Sequence, residues 1–233
     1  MASNVVTLLD RRIYTFGRVD ELLGLRAGTA QRWIDGYSRK RTYEPVIRTR
    51  RTGSQVATWG EFVECRFLAE YRDAGVPAVH LRTIVQRLRE QLGTQYPFAS
   101  ARLWLRPEGK EILAKVQDSL KGDVEPTLYV VRTNDVLLPM EWAPGVERFN
   151  EAVRWSEQPE QVPVALWADP EAKQVEINPL RSFGAPVVRG VQTARLAELA
   201  RAGDPPEMLA EMYELDLPQV LAALHYERHH TAA

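Results

Sequence analysis

Apolar residues recur at helical spacing near both ends of the chain. Near the N-terminus, this spacing predicts a short helix that begins after Thr15, a residue type that caps helices, and a second helix from about Ala27 to Asp35. A tight turn at Gly24-Leu25 separates the two helices, and Gly36 ends the second. Two short helices around a glycine turn form a helix-turn-helix pattern.

Two longer helices are predicted after this pair. Thr58 and Glu61 have the spacing of a capping box, in which each side chain bonds to the backbone of the other residue. The helix that they open extends to about Ala74, and a further helix follows from Pro77 to Leu92. The N-terminal hundred residues are therefore predicted to be mainly helical.

Three short helices are predicted within the segment from Ile177 to Tyr226, after a lead-in that is rich in proline and glycine. Apolar residues at helical spacing are expected to close a small trihelical core. These residues are Met208, Leu209, Met212, Tyr213, Val220, Leu221, Leu224 and Tyr226.

The middle of the chain has shorter, strand-like patterns. The predicted elements are a hairpin of Arg102–Leu105 with Glu111–Ala114, a strand at Thr127–Arg132, a helix at Gly145–Trp155, and a hairpin of Val162–Trp167 with Gln174–Ile177. The pattern predicts an α+β protein, mainly α, with three domains. These are a winged helix-turn-helix domain (residues 1–95), a small β connector (96–176) and a three-helix, helix-turn-helix-like domain (177–233).

The net charge of −1 hides a strong asymmetry along the chain. Residues 1–60 contain eleven Arg or Lys and five Asp or Glu, a net of +6, whereas residues 61–233 have nineteen and twenty-six, a net of −7. A basic N-terminal part on an acidic body indicates that this end meets a polyanion. The alternative is a basic surface without a ligand.

The basic N-terminal part contains the candidate DNA-binding residues. In the second helix, Thr29, Gln31, Arg32 and Asp35 are predicted to be exposed. Their short polar and forked side chains are of the kinds that read base edges, and the first three are the candidate DNA contacts. The following segment has six Arg or Lys in thirteen residues (39–51) and predicts a hairpin whose cations contact phosphates. The candidates there are Tyr37, Arg39, Lys40, Arg41, Arg48, Arg50 and Arg51.

The N-terminal segment, from about Tyr14 to Leu92, resembles the DNA-binding domain of MerR-type regulators. The matching points are the Tyr14-Thr15 start and the Ala74-Gly75-Val76-Pro77 turn. The chain departs from those regulators at residues 29–33, where they show paired tyrosines. The resemblance therefore implies a winged helix-turn-helix but no particular base preference.

The C-terminal segment resembles a small helical domain, long described as of unknown function, of bacterial antitoxins that are paired with PIN-type ribonuclease toxins. The matching residues are Asn178-Pro179, residues 182–187, Ala202-Gly203-Asp204 and the final Val220-x-x-Ala223-Leu224-x-Tyr226-Glu227. The whole chain thus resembles a long VapB-type antitoxin. This resemblance implies that the chain neutralises a PIN-type toxin and binds its own operator.

Candidate toxin contacts follow from that implication. A PIN nuclease holds Mg²⁺ on clustered carboxylates, so an antitoxin blocks it by excluding RNA or by placing a cation among those acids. Arg181 and Arg228 are the candidate cations, and Phe183 is a candidate apolar contact. Operator half-sites are usually read by two-fold symmetric proteins, so the chain is further predicted to form a homodimer.

No catalytic motif is present, and the chain is not expected to be an enzyme or to bind a cofactor. His225 and His229 have the i, i+4 spacing of a metal pair, but no third ligand accompanies them, so no metal site is predicted. One cysteine, no signal peptide and no long apolar run predict a cytoplasmic protein without a membrane partner. The alternative function is a stand-alone MerR-like regulator with a ligand-sensing body.

Overall fold

The computed structural model describes residues 7–40, 42–73, 78–100, 130–133, 136–139, 143–157, 161–169 and 171–230. Within these ranges, the helices are α1 (Phe16–Leu22), α2 (Thr29–Ile34), α3 (Trp59–Asp73), α4 (Ala78–Leu92), α5 (Ala143–Ala152), α6 (Thr193–Ala202), α7 (Pro206–Met212) and α8 (Leu217–His230). The strands are β1 (Arg12–Thr15), β2 (Tyr37–Ser38), β3 (Thr42–Tyr43), β4 (Val56–Thr58), β5 (Val130–Thr133), β6 (Val136–Pro139), β7 (Val153–Trp155), β8 (Pro163–Trp167), β9 (Glu176–Ile177), β10 (Pro186–Val188) and β11 (Val191–Gln192). This mixture of helices and small sheets confirms the α+β class.

An antiparallel five-stranded sheet has the order β11-β10-β9-β8-β7. The predicted pairing of Val162–Trp167 with Gln174–Ile177 is confirmed, because β8 pairs with β9. The helix predicted to reach Trp155 ends at Ala152, and the next three residues form β7 instead. Alternating Val153 and Trp155 suit a strand that pairs with β8. The hairpin predicted within 102–114 lies outside the described residues.

The buried apolar residues form two clusters. The first is centred on α1 to α4 and includes Trp59, Phe62 and Phe67, but it also takes in Phe149 and Ile177 from later in the chain. The second lies among α6, α7 and α8 and includes Leu196, Leu209 and Val220. The predicted boundary after residue 95 falls inside the first cluster, because residues 96, 98 and 99 are buried in it.

Hydrogen bonds from buried aromatic side chains join the N-terminal helices to the rest of the chain. The indole nitrogen of Trp59 donates to the carbonyl of Pro163 at 2.6 Å. The Tyr14 hydroxyl donates to the Gly184 carbonyl at 2.8 Å, and the Tyr226 hydroxyl donates to the Leu22 carbonyl at 3.2 Å. The last bond fixes α8 against the end of α1.

Two predicted helix starts are confirmed at atomic detail. The Thr15 hydroxyl accepts from the backbone N–H of Arg18 at 3.2 Å, which caps α1. Thr58 and Glu61 form the full capping box of α3. The Glu61 carboxylate accepts from the Thr58 N–H at 2.9 Å, and the Thr58 hydroxyl accepts from the Glu61 N–H at 3.2 Å.

Arg48 is predicted to contact DNA, but its side chain is only 9% exposed and lies between two carboxylates. Its Nε lies 2.6 Å from Glu61 Oε1, and its Nη1 lies 2.7 Å from Asp35 Oδ1. A further nitrogen, Nη2, donates to the Val56 carbonyl at 2.9 Å. The side chain therefore ties the end of α2 to the start of α3, and in this structure its partners are carboxylates rather than the predicted phosphates.

The C-terminal core is smaller than the sequence pattern predicted. Leu209, Val220 and Tyr226 are buried as expected, whereas Met208, Met212 and Leu221 are 49%, 56% and 47% exposed. Helical spacing alone placed these three side chains in the core. The faces of α7 and α8 that carry them are left open because the three helices already close over Leu196 and Leu209.

Replacement of Arg48 by Met is expected to lower the free energy of unfolding by about 3–5 kcal/mol, since it leaves two buried carboxylates without their cation. Urea denaturation of the full chain measures this loss. The matched control is Arg50→Met, because Arg50 is exposed and lies two residues away. Equal stability of the two variants would contradict a structural role for Arg48.

Glu64 predicts a pH dependence of stability. Burial raises the pKa of this carboxyl from 4.5 to about 8, although it accepts hydrogen bonds from the Phe98 and Ala99 N–H groups. Because the folded-state pKa is raised, the stabilising contribution is present below pH 4.5 and is lost as pH rises towards about 8. The stability of Glu64→Gln relative to the wild type should therefore increase across this range. Parallel stability curves for the two proteins would rule out this origin of the pH dependence.

Candidate nucleic-acid interface

A buried carboxylate sets the start of α2. Asp20, on α1, accepts from the backbone N–H of Gly28 and from that of Ala30, both at 2.7 Å. Gly28 has a φ of 78°, a left-handed conformation that favours glycine. Burial raises the pKa of Asp20 even though these N–H groups oppose the change. The side chain thus orients α2 against α1.

Only part of the predicted reading face of α2 is exposed. Gln31 and Arg32 are exposed, as expected. Thr29 and Asp35 were predicted to be exposed, but they are 5% and 3% exposed. The Thr29 hydroxyl accepts from Arg32 Nη2 at 2.9 Å, so Thr29 acts in this structure as a support for Arg32. The predicted exposure of Thr29 is wrong.

The basic hairpin of β2 and β3 follows α2 directly. Tyr37 and Tyr43 are paired in register, and their rings stack with centroids 4.4 Å apart. Gly36 is required at its base, because a Cβ there would lie 2.2 Å from the Tyr43 carbonyl oxygen. Arg39 and Lys40 are exposed at the tip, and Arg41 lies outside the described residues. Tyr43, which is 48% exposed, was not among the predicted site residues.

The loop that carries Arg50 and Arg51 is held beside the end of α2. Asp35 Oδ1 accepts from the Thr52 N–H at 2.7 Å, and Asp35 Oδ2 accepts from the Gly53 N–H at 3.0 Å. Burial alone raises the pKa of Asp35, but the bonds from Thr52 and Arg48 outweigh it and leave the pKa lowered. The carboxylate therefore stays charged, and it holds the backbone that directly follows the two exposed arginines.

These elements give the N-terminal part a set of exposed donors with few acidic neighbours. The exposed members are Gln31, Arg32, Tyr43, Arg39, Lys40, Arg50 and Arg51. Guanidinium and ammonium groups in this arrangement can contact phosphates, while Gln31 and Arg32 can reach base edges. Helix α7 carries Glu207 and Glu211 instead, and the turn between α7 and α8 carries Glu214 and Asp216; such acidic surfaces repel phosphate.

The three candidate toxin contacts lie on two separate elements. Arg181 and Phe183 belong to one tight turn near β1, whereas Arg228 lies on α8. Phe183 is 93% exposed and has a φ of 54°, which L-residues rarely adopt. The turn is anchored at Gly184, whose carbonyl accepts the bond from Tyr14. The structure thus presents an aromatic ring to solvent on a constrained backbone.

The C-terminal histidines make local contacts. His229 Nδ1 lies 2.9 Å from the His225 carbonyl, and the ring of His230 stacks on that of Tyr226 with centroids 4.0 Å apart. Among the described residues, no group of three metal-ligating side chains comes together. Within the same part of the chain, no helix has the length and apolarity needed to cross a bilayer.

Comparison with known proteins yields matches to the C-terminal part and to the whole chain. Residues 175–226 match the family described as "Protein of unknown function (DUF433)", a span close to the predicted domain at 177–233. The X-ray crystal structure of Rv2018 from Mycobacterium tuberculosis superposes with a TM-score of 0.73 at 24% identity. That match covers 94% of this chain and 100% of the Rv2018 chain, and it shows a shared fold.

A second protein from Mycobacterium tuberculosis (strain ATCC 25618 / H37Rv) is similar along nearly its whole length. The uncharacterized protein Rv2308 is 35% identical over 240 residues, which cover 99% of this chain and 96% of Rv2308. Similarity at this level and coverage extends through the N-terminal helices, the sheet and the C-terminal helices alike. The chain therefore belongs to the same family as Rv2308, with a DUF433 segment at residues 175–226.

Proposed function

We propose that the chain is an antitoxin that binds the DNA of its own operon and neutralises a PIN-type ribonuclease toxin. The observation that carries the DNA-binding part is the exposed basic surface formed by α2, the β2–β3 hairpin and the loop at 50–51. A helix that follows a glycine turn and precedes a basic hairpin is the arrangement expected of a MerR-like winged helix-turn-helix.

The internal contacts of this surface support a binding role. Asp20 fixes the start of α2, while Arg48 and Asp35 fix its end and the loop that follows. The exposed side chains are therefore presented by a constrained backbone, which lowers the entropy lost on binding. A patch whose cations served only solubility would need no such constraint.

The turn at residues 180–184 supports the second part of the proposal. Ser182 and Phe183 both have positive φ values, 47° and 54°, and such conformations cost about 1–3 kcal/mol each. The backbone is held there by the Tyr14 bond, and the result is an aromatic ring that is 93% exposed. Strain that exposes an aromatic side chain favours a partner that buries it, since aromatic anchors dominate protein interfaces. Arg181 is exposed two residues before Phe183 and supplies a cation for an acidic partner surface.

Loss of a base contact should differ from loss of phosphate contacts. Arg32→Ala is expected to weaken binding to operator DNA by about 1–3 kcal/mol and to relax the base choice at one position. The double variant Arg39→Ala/Lys40→Ala should weaken binding to operator and random DNA alike and reduce the salt slope by about 2.

Gel-shift titration at several salt concentrations measures both effects. Arg195→Ala is the control, because Arg195 is exposed on α6 and lies outside the basic surface. If Arg32→Ala lost the same affinity for cognate and for random DNA, Arg32 would not be a residue that reads bases. If both the single and the double variant kept the affinity of the wild type for DNA, this surface would not be the DNA-binding site.

For the toxin-binding part, Phe183→Ser in the full chain is expected to abolish co-purification with the product of a neighbouring PIN-type gene and to abolish growth rescue. Operator binding should be retained, because Phe183 does not belong to the basic surface. Glu198→Ala, an exposed change on α6, is the control and should keep both activities. If the wild-type chain bound DNA but did not rescue growth in the presence of the toxin, the alternative of a stand-alone regulator would be favoured.

A further inference from the structure

An open apolar groove of about 570 Å³ runs along the C-terminal helices. Ala197 and Ala200 of α6 form one wall, and Leu221 and Leu224 of α8 form the other. Both alanines are small, so another helix can approach this wall closely. A groove of this kind between helices is suited to an amphipathic helix.

The α8 side of the groove is one continuous stripe. Leu217, Leu221, Leu224 and Arg228 follow spacings of four, three and four residues, which place them on one face of the helix. Tyr226, which bonds to the carbonyl of Leu22, lies on the opposite side of α8. The groove is thus directed away from the contact that joins α8 to the N-terminal helices.

Two cations and one carboxylate line the groove. The carboxylate, Glu227, accepts a hydrogen bond from the Thr193 hydroxyl, so the net charge of the lining is positive. Arg201 and Arg228 both line it and are exposed, and neither has an ion pair with any residue that the structure describes. Arg201 Nε donates to the Ala197 carbonyl at 3.2 Å, which holds its side chain along α6. An occupant of the groove therefore needs apolar side chains flanked by carboxylates.

Helix α7 of the same chain has these features on its outer face. Met208 and Met212 are 49% and 56% exposed and lie one turn apart, so they form an apolar ridge. Glu207 and Glu211 are exposed beside them and have no ion pair within the described residues. Methionine side chains adapt to irregular apolar surfaces, which suits them to an interface.

We propose that the groove receives α7 of a second copy of the chain. Met208 and Met212 of each copy pack against Leu221 and Leu224 of the other, and Glu207 and Glu211 lie near Arg201 and Arg228. In a two-fold dimer the contact occurs twice, because each copy supplies one groove and one helix. Both surfaces are open in the isolated chain, and their charges are opposite.

This proposal does not depend on the antitoxin proposal. It assigns Arg228 to self-association, whereas Arg181 and Phe183 remain on a separate turn. It also accounts for exposed side chains that the sequence pattern had placed in the core, since dimer contacts follow the same apolar spacing as internal ones.

Charge reversal on the two surfaces tests the proposal. One variant carries Arg201→Glu and Arg228→Glu, and the other carries Glu207→Arg and Glu211→Arg. Each variant alone places like charges across both contacts and should associate at least about 10-fold more weakly than the wild type. An equimolar mixture restores opposite charges at both contacts and should form a heterodimer.

Sedimentation velocity of the full chain measures these states, and circular dichroism checks that each variant is folded. The wild type is expected to dimerise with a Kd of about 1–10 µM, and Leu221→Glu should make it monomeric. Leu180→Glu is the matched control, because Leu180 is also exposed but lies on the Phe183 turn. The proposal is overturned if the wild type is monomeric at about 100 µM, which would leave the groove to another occupant. It is also overturned if Leu221→Glu stays dimeric or if the mixture does not associate.

Discussion

The N-terminal part of the structure depends on a single guanidinium that is largely withdrawn from solvent. Arg48 lies between Asp35, at the end of α2, and Glu61, which caps α3. Removal of two carboxylates from water is unfavourable unless a cation and further hydrogen bonds compensate for it. The guanidinium supplies both, with a bond to the Val56 carbonyl and a position 5.5 Å from the Phe16 ring. Arg48, which is not itself exposed, therefore holds in place the segments that carry the exposed arginines of the basic surface.

The same buried connections extend through the chain. Tyr14, beside the start of α1, supports the turn that exposes Phe183, and Tyr226, on α8, bonds to the end of α1. The basic surface, the Phe183 turn and the C-terminal helices therefore share one framework, although each presents different chemistry to solvent. The surfaces are cationic at α2 and the hairpin, aromatic at the turn, and apolar with charged borders at the groove.

Local sequence signals predicted local structure well. Thr15 and the Thr58–Glu61 box were recognised because capping depends on residues three apart, and the pairing of β8 with β9 followed from alternation around a short turn. Burial was harder to predict because it depends on distant partners. Arg48 resembles its exposed neighbours in sequence, and only the fold brings Asp35 and Glu61 to it. Likewise, the spacing of Met208 and Met212 cannot distinguish an internal core from an interface.

The central claim is that the surface formed by α2, the hairpin and the 50–51 loop binds DNA. Hydrogen exchange of the full chain, with and without DNA from upstream of its own gene, tests this claim most directly. The account predicts that DNA slows exchange in peptides that cover residues 29–43 and 48–53, and leaves residues 206–212 unchanged. Unchanged exchange in the N-terminal peptides, or protection confined to the acidic C-terminal helices, would contradict it.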